Sequence, residues 1–242
     1  MRILLNGAGG RMGKEVEKVI GASDHHELVA RVDRFAEGCI PDLNEFTDIA
    51  DVIIDFSNHL ATAPLMDYAV KRGIPTVVCT TGQTEGELHI IEEASKKIAI
   101  FHSANMSVGV ALLAELAVKT AAVMKDADIE IVETHHNRKL DAPSGTALMI
   151  ANAIKNVRED ASFVPGRSGS GKREQNEIGI HAVRRGNIVG IHEVLVSTDN
   201  QTITLKHEAH SRALFADGAI TAAEFICGKP AGMYDMQSII HK

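Results

Sequence analysis

The chain has no tryptophan, two tyrosines and seven phenylalanines in 242 residues. Aromatic platforms for stacking nucleic-acid bases are therefore scarce. Positive charge is also short. Lys and Arg number 25 against 32 Asp and Glu, a net charge of −7, a poor balance for neutralising a phosphate backbone. Cys39, Cys79 and Cys227 are odd in number and widely spaced, with no CxxC pair. That argues against a zinc ribbon and against a disulfide framework. No apolar run approaches the roughly 18 residues of a membrane span, and Met1-Arg-Ile-Leu-Leu reads as a strand, not a signal peptide. These absences describe a reduced, cytoplasmic chain with neither nucleic acid nor membrane as partner. Its 45% hydrophobic and 24% charged residues exclude a disordered chain, a collagen-like chain and a coiled-coil rod.

The first hundred residues alternate short apolar runs with helical patterns, as in a parallel sheet of an α/β layer. Strands are expected at 3–6, 28–32, 52–56, 76–79 and 98–101, with helices after Gly13 and near 61–71 and 85–97. The stretch between Asp33 and Asp51, holding Gly38 and Pro41, is too short for a full crossover helix. After Ser107 the rhythm changes. A long Ala/Leu/Val helix at 108–124 precedes a strand at 129–133, a loop from Asn137 to Pro143 and a helix starting near Ser144. Residues 162–172 read as a glycine- and serine-rich loop, and three strand-like runs at 178–183, 188–196 and 202–207 suit an antiparallel meander. A helix at 213–227 and a short tail close the chain. The expected architecture is α/β, with a Rossmann-type dinucleotide-binding domain (1–106 plus 212–242) and an inserted α+β domain (107–211).

Gly7-Ala8-Gly9-Gly10-Arg11-Met12-Gly13 lies between a strand and a helix, as a dinucleotide fingerprint should. The spacing fits GxxGxxG, with Gly7 for the tight turn, Gly9 or Gly10 for close approach of a pyrophosphate, and Gly13 for helix packing. Asp33 ends the second strand twenty residues after Gly13, where a carboxylate accepts from an adenosine ribose. Arg34 follows and can meet a 2′-phosphate, so NADH and NADPH both remain open. Two further strand ends, Cys79-Thr80-Thr81 and Ser103-Ala104-Asn105-Met106, fall where open α/β sheets bind ligands. As an alternative, Thr80 and Ser103 cap the helices that follow.

Residues 130–147, Glu-Ile-Val-Glu-Thr-His-His-Asn-Arg-Lys-Leu-Asp-Ala-Pro-Ser-Gly-Thr-Ala, concentrate the chemistry. His135 and His136 are read as leaving a strand into a loop, where imidazoles are positioned and not packed. Ser144-Gly145-Thr146 opens a helix whose backbone N–H groups favour an anion. Lys139 beside that helix start makes a carboxylate site, and a histidine there moves protons near neutral pH. No HExxH exists, so a zinc hydrolase is disfavoured.

The two segments together resemble the 4-hydroxy-tetrahydrodipicolinate reductase (dihydrodipicolinate reductase) family of lysine and diaminopimelate biosynthesis. The likeness continues through Thr80-Thr81-Gly82, Ala104-Asn105-Met106, Glu177–Arg184 and Ser211-Arg212. It implies hydride transfer from NADH or NADPH to a cyclic imine dicarboxylate. His135 then corresponds to the acid/base residue and Lys139 to a second proton donor. His136, Gly145 and Thr146, with Ser144 at the same helix start, correspond to substrate-binding residues. Residues 7–12, Asp33, 79–81 and 103–106 correspond to dinucleotide contacts, and no metal is implied. The inserted domain's sheet would also build a homotetramer. The chain departs from the family pattern at Cys79 and Arg185, both common glycine positions, and at Ile191 in place of Glu. Two other readings are a related NAD(P) oxidoreductase with a different acid substrate and a non-catalytic dinucleotide sensor. Neither needs the His135–Thr146 cluster.

Overall fold

The computed structural model describes residues 1–241, which divide into two compact units, residues 1–108 with 212–241 and residues 109–211. The first unit runs β1 (Arg2–Asn6), α1 (Arg11–Gly21), β2 (Glu27–Val32), β3 (Val52–Asp55), α2 (Thr62–Arg72), β4 (Thr76–Val78), α3 (Glu85–Ser95) and β5 (Ala99–His102). The second runs from α4 (Val108–Val123) through β6 (Asp128–His135), α5 (Gly145–Lys155), β7 (Ser162–Pro165), β8 (Glu177–Arg184) and β9 (Gly190–Thr198) to β10 (Gln201–Ala209). The chain then returns to the first unit with α6 (Ala213–Ile226), β11 (Gly232–Tyr234) and α7 (Met236–Ile240).

The first unit's sheet has the order β11-β5-β4-β3-β1-β2, every pair parallel. Its central strands are buried on both faces, with Ile3, Leu4, Leu5, Val52, Ile53 and Ile54 all inaccessible. This is why they read as continuous apolar runs and not as alternating ones. The chain leaves β1 for β2 on one side and returns to β3 on the other. The β1/β3 boundary is therefore a topological switch point, which opens a crevice beyond the carboxyl ends of the strands. Between β2 and β3 only a 3-10 turn forms (Leu43–Glu45), in keeping with the short segment. The tail does more than the sequence indicates, since β11 extends the sheet by pairing with β5.

The second unit's sheet has the order β10-β9-β6-β8-β7. The expected three-stranded meander is corrected here: only β9 and β10 form an antiparallel hairpin, and β8 lies on the other side of β6, parallel to it. The cause is the burial of β6. Ile129 and Ile131 are at most 2% exposed, and such a strand needs its hydrogen-bonding edges filled on both sides. The intervening α5 permits the parallel return. The expected loop at 162–172 also begins as a strand, β7, carried by Phe163 and Val164 on the edge of the sheet. Pro165, which lacks a donor, ends it.

Candidate active site

The glycine turn is built from main chain. Gly7 has φ +79°, and a Cβ there would collide with the Phe56 carbonyl at the end of β3. A Cβ on Gly13 would strike the Gly7 oxygen and Ala8, so α1 starts as close to the turn as backbone allows. Gly10 occupies the N-cap position of α1 without any side-chain cap, and the first turn carries no acidic residue. The first-turn amides and positive dipole end of α1 thus favour an anion. Asp33 lies across this turn. Its Oδ2 accepts from the Gly9 amide at 3.0 Å, and Oδ1 from the amides of Phe35 (3.0 Å) and Ala36 (3.2 Å). Arg34 is exposed, its guanidinium 5.7 Å from the Phe35 ring centroid.

At the neighbouring strand ends, Asp55 is buried and accepts from Asn6 Nδ2 (2.8 Å), Ser57 Oγ (2.6 Å) and Thr80 Oγ1 (2.7 Å). Burial raises its pKa against those three bonds. Thr80 therefore braces β3 against β4, while Thr84 is the residue that caps α3. Cys79 is buried, and burial together with Asp55 holds its thiol well above its ordinary range. Thr81 and Ala104 are exposed. Ser103 Oγ bonds the Asn105 carbonyl at 2.9 Å, and Asn105 Oδ1 accepts from Ser107 N–H at 2.8 Å. Met106 is buried, and α6 approaches it at Gly218, where a Cβ would collide with the Met106 carbonyl.

The second cluster is built from side chains. His135 is the last residue of β6 and is 8% exposed, so it is packed in a strand and not free in a loop, which corrects the sequence reading. The strand runs on to His135 because β8 and its following turn supply partners there, with Arg185 N–H bonding the His135 carbonyl at 2.9 Å. His135 Nδ1 lies 2.6 Å from Glu133 Oε2. Glu133 is inaccessible to solvent and also receives both Arg184 amino groups at 2.7 Å and the Ser144 amide at 2.9 Å. Burial pushes this carboxyl up, but the bonds from His135, Arg184 and Ser144 outweigh it and hold the pKa at about 2. His192 packs edge-on against His135 with ring centroids 5.2 Å apart, and its Nε2 is 3.2 Å from Ser144 Oγ. Burial, aided by His135, lowers His192 to about 4, so it is neutral at pH 7.

Ser144 caps α5 by accepting from the Ala147 amide at 3.2 Å. With its amide on Glu133 and its hydroxyl on His192, Ser144 braces the cluster from inside. Gly145 is exposed and Thr146 half-buried at the open start of α5. His136 is tied through its amide to the Ile188 carbonyl (2.8 Å), and its own carbonyl receives the Lys139 amide (3.1 Å). Lys139 Nζ bonds Asp141 Oδ1 at 2.8 Å. The Lys139 ammonium, and to a lesser degree the Gly145 amide, hold Asp141 below the usual carboxylate range. A carboxylate of the chain itself is thus held by a lysine beside a helix start. The residues that sequence reasoning missed are Glu133, Arg184 and His192; Glu133 stands two residues before His135 on the same strand, whereas Arg184 and His192 reach the cluster only through the pairing of β6, β8 and β9.

Two profiles divide the chain between them: dihydrodipicolinate reductase N-terminus matches residues 1–106, and dihydrodipicolinate reductase C-terminus matches residues 109–240. The chain belongs to the dihydrodipicolinate reductase family. A 4-hydroxy-tetrahydrodipicolinate reductase of Caldanaerobacter subterraneus subsp. tengcongensis is 48% identical, the match covering 100% of this chain and 99% of that protein. One from Clostridium novyi is 43% identical over 99% and 98%. Among solved structures, the dipicolinate-bound dihydrodipicolinate reductase of Paenisporosarcina sp. TG-14 has a TM-score of 0.79 with 24% identity, covering 99% of both chains. At that identity it speaks for the fold alone. Membership of the dihydrodipicolinate reductase family makes the chain an oxidoreductase that uses a nicotinamide dinucleotide on a small molecule.

Proposed function

We propose that the chain reduces 4-hydroxy-tetrahydrodipicolinate to tetrahydrodipicolinate with release of water, using NADH or NADPH, in lysine and diaminopimelate biosynthesis. The observation that carries this reading is the Lys139–Asp141 pair at the start of α5. There a carboxylate of the chain is held by Lys139, which the resemblance makes a second proton donor, close in sequence to Gly145 and Thr146, which it makes substrate-binding residues. The dinucleotide supplies the hydride. The glycine turn fits it, because the uncapped amides of α1 and the Cβ-excluding contacts at Gly7 and Gly13 leave backbone to approach a pyrophosphate. Gly7, Ala8, Gly9, Gly10, Arg11 and Met12 would hold the pyrophosphate, with Asp33 and Arg34 at the ribose. Residues 79–81 and 103–106 would line the remainder.

In the second unit, a substrate carboxylate would take the place of Asp141 on Lys139, with Gly145, Thr146 and His136 as its further partners. His135 donates the proton that accompanies the hydride, and Lys139 is the second donor. An imine accepts hydride faster when protonated, and a positioned histidine is a side chain suited to deliver that proton. Asp33 is spent on three backbone amides while Arg34 stays exposed beside it, which supports acceptance of either cofactor. Homotetramer assembly is supported by the second sheet's outward face, where Val132 and Leu195 are half-exposed and Val183 is 38% exposed. The three free cysteines fit a reducing cytoplasm.

The test is nicotinamide oxidation with the condensation product of pyruvate and aspartate semialdehyde generated in situ. Turnover with either cofactor is expected, and the NADH to NADPH ratio of kcat/KM gives the preference. Intact dinucleotide binding without turnover would move the assignment to another acid substrate or to a dinucleotide sensor.

A further inference from the structure

The buried carboxylate behind His135 has no part in the chemistry so far, and its surroundings are specific. A carboxylate held ionised can only accept hydrogen bonds. The 2.6 Å contact between Glu133 Oε2 and His135 Nδ1 therefore requires the proton on Nδ1. The other ring nitrogen then carries the lone pair when the ring is neutral and the transferable proton when it is charged. The surroundings leave room at that nitrogen. A Cβ at Gly190 would stand 3.1 Å from His135 Nε2, tighter than side chains normally tolerate, and in ordinary contact with Cδ2 at 3.6 Å. The carboxylate itself cannot turn away, because Arg184 grips both its oxygens and the Ser144 amide fixes Oε1.

We propose that Glu133 is the positioning residue of His135: clamped by Arg184 and Ser144, it fixes the imidazole with its proton on Nδ1 and presents Nε2, on the side kept clear by Gly190, as the proton-transferring atom. This rests on the reading of His135 as the acid/base group. The Glu133 and Arg184 charges offset each other, so the pair imposes a tautomer without adding net charge to the site. His192, held neutral by burial, faces His135 from β9 without repelling its charged form. The other titratable groups around the cluster are Lys139 and Asp141 on the loop after β6, and His207 on β10, itself lowered by burial and by His210.

The first test needs no turnover. Nitrogen-15 NMR of the full-length protein, with His135 assigned by a His135→Gln spectrum, is expected to show Nδ1 protonated and Nε2 as the titrating nitrogen. A neutral ring protonated on Nε2 would overturn the proposal. The second is Glu133→Gln, which keeps the shape and an acceptor oxygen but removes the charge. Its kcat should fall about 10²-fold or more, as when a histidine loses the carboxylate that sets its tautomer. KM for the dinucleotide should stay within about twofold, and the alkaline limb of the kcat profile, where the proton donor is lost, should move to lower pH as the imidazolium loses its anion. Glu133→Asp should recover part of the rate. An unmoved pH profile, or a loss confined to dinucleotide KM, would overturn the proposal. If Glu133→Gln does not fold, Gly190→Ala crowds Nε2 from the opposite side and should depress kcat while leaving the Nδ1 signal in place; undiminished kcat in that variant would overturn the assignment of Nε2. A wild type with the expected tautomer but no turnover would instead sink the assigned reaction, so the two failures are separable.

Discussion

The two ends of the molecule's chemistry are made of different material. At the carboxyl ends of β1 and β3 the candidate dinucleotide site is main chain: glycines that exclude a Cβ, uncapped amides of α1, and an Asp33 whose oxygens are both used on backbone N–H groups. At the end of β6 the candidate substrate site is side chain: an inaccessible glutamate, an arginine, two histidines and a serine, joined by hydrogen bonds that centre on Glu133 and Ser144. A backbone site tolerates no added atom. A side-chain site tolerates no removed charge. The two should therefore fail in different ways.

The largest effect is expected from removing the cation proposed to serve the substrate. Lys139→Ala should lower kcat by about 10²- to 10⁴-fold, the usual span for a proton donor or its equivalent, while NADH affinity measured by calorimetry stays within about twofold. Equal loss of NADH binding would erase the division between the two sites. Next comes the addition of one carbon to the backbone site. Gly13→Ala drives a Cβ into the Gly7 carbonyl and Ala8, contacts that flexible side chains cannot relieve. It should destabilise the first unit by about 1–3 kcal/mol and abolish dinucleotide binding, with the His135 and His192 NMR signals unchanged. Full NADH binding by Gly13→Ala would show that the turn is not the cofactor's cradle.

This division also explains what could be read from the sequence. The glycine turn is legible because its parts lie within seven consecutive residues and each glycine is explained by local backbone geometry. The parallel sheet of the first unit is legible because doubly buried strands are unbroken apolar runs. Likewise Ser144, Gly145 and Thr146 lie together because a helix start is local. The Glu133 cluster is not legible. Arg184 reaches Glu133 from 51 residues away, and His192 meets Ser144 from 48. Both meetings depend on β6 taking the centre of the sheet, where an antiparallel meander fits the strand periodicities just as well. Period-two patterning says which residues face inward but not which strand is the neighbour. For the same reason His135 reads as a loop residue, since nothing near it announces that β8 pairs with it and that β9 pairs as far as Thr134.

The side-chain cluster should also show in acid. Glu133 is held at about 2 against an ordinary value of 4.5, and His192 at about 4 against 6.5. In both cases the unfolded chain binds the proton first, so stability rises with pH across each window. Stability should fall as pH drops from about 6.5 to 4 through His192 and again from about 4.5 to 2 through Glu133. Each contributes on the order of 3 kcal/mol at most. Thermal midpoints across this range should flatten in the upper window for His192→Asn and leave the lower window in place. A wild-type midpoint independent of pH between 4 and 6.5 would show that His192 is not held neutral.

The smallest effect probes the place where the side-chain site already contains its own substrate-like group. Asp141 has 57% of its side chain exposed, and the 2.8 Å bond from Lys139 is its direct ion pair. An exposed pair of this kind contributes at most about 1 kcal/mol. A substrate carboxylate that seats on Lys139 has to displace it. Asp141→Asn keeps the shape and removes the competing charge, so KM for the dicarboxylate should fall by about two- to fivefold, the equivalent of that 1 kcal/mol or less. No change in kcat is expected beyond about twofold, because the proton donors remain. Raising salt should shrink the difference between variant and wild type, since screening weakens an exposed pair in both. A rise in KM instead would mean that Asp141 holds Lys139 in position for the substrate and does not compete with it. The backbone site differs, because Asp33 takes only the Gly9 amide of the glycine turn and spends its other oxygen on the Phe35 and Ala36 amides of its own loop.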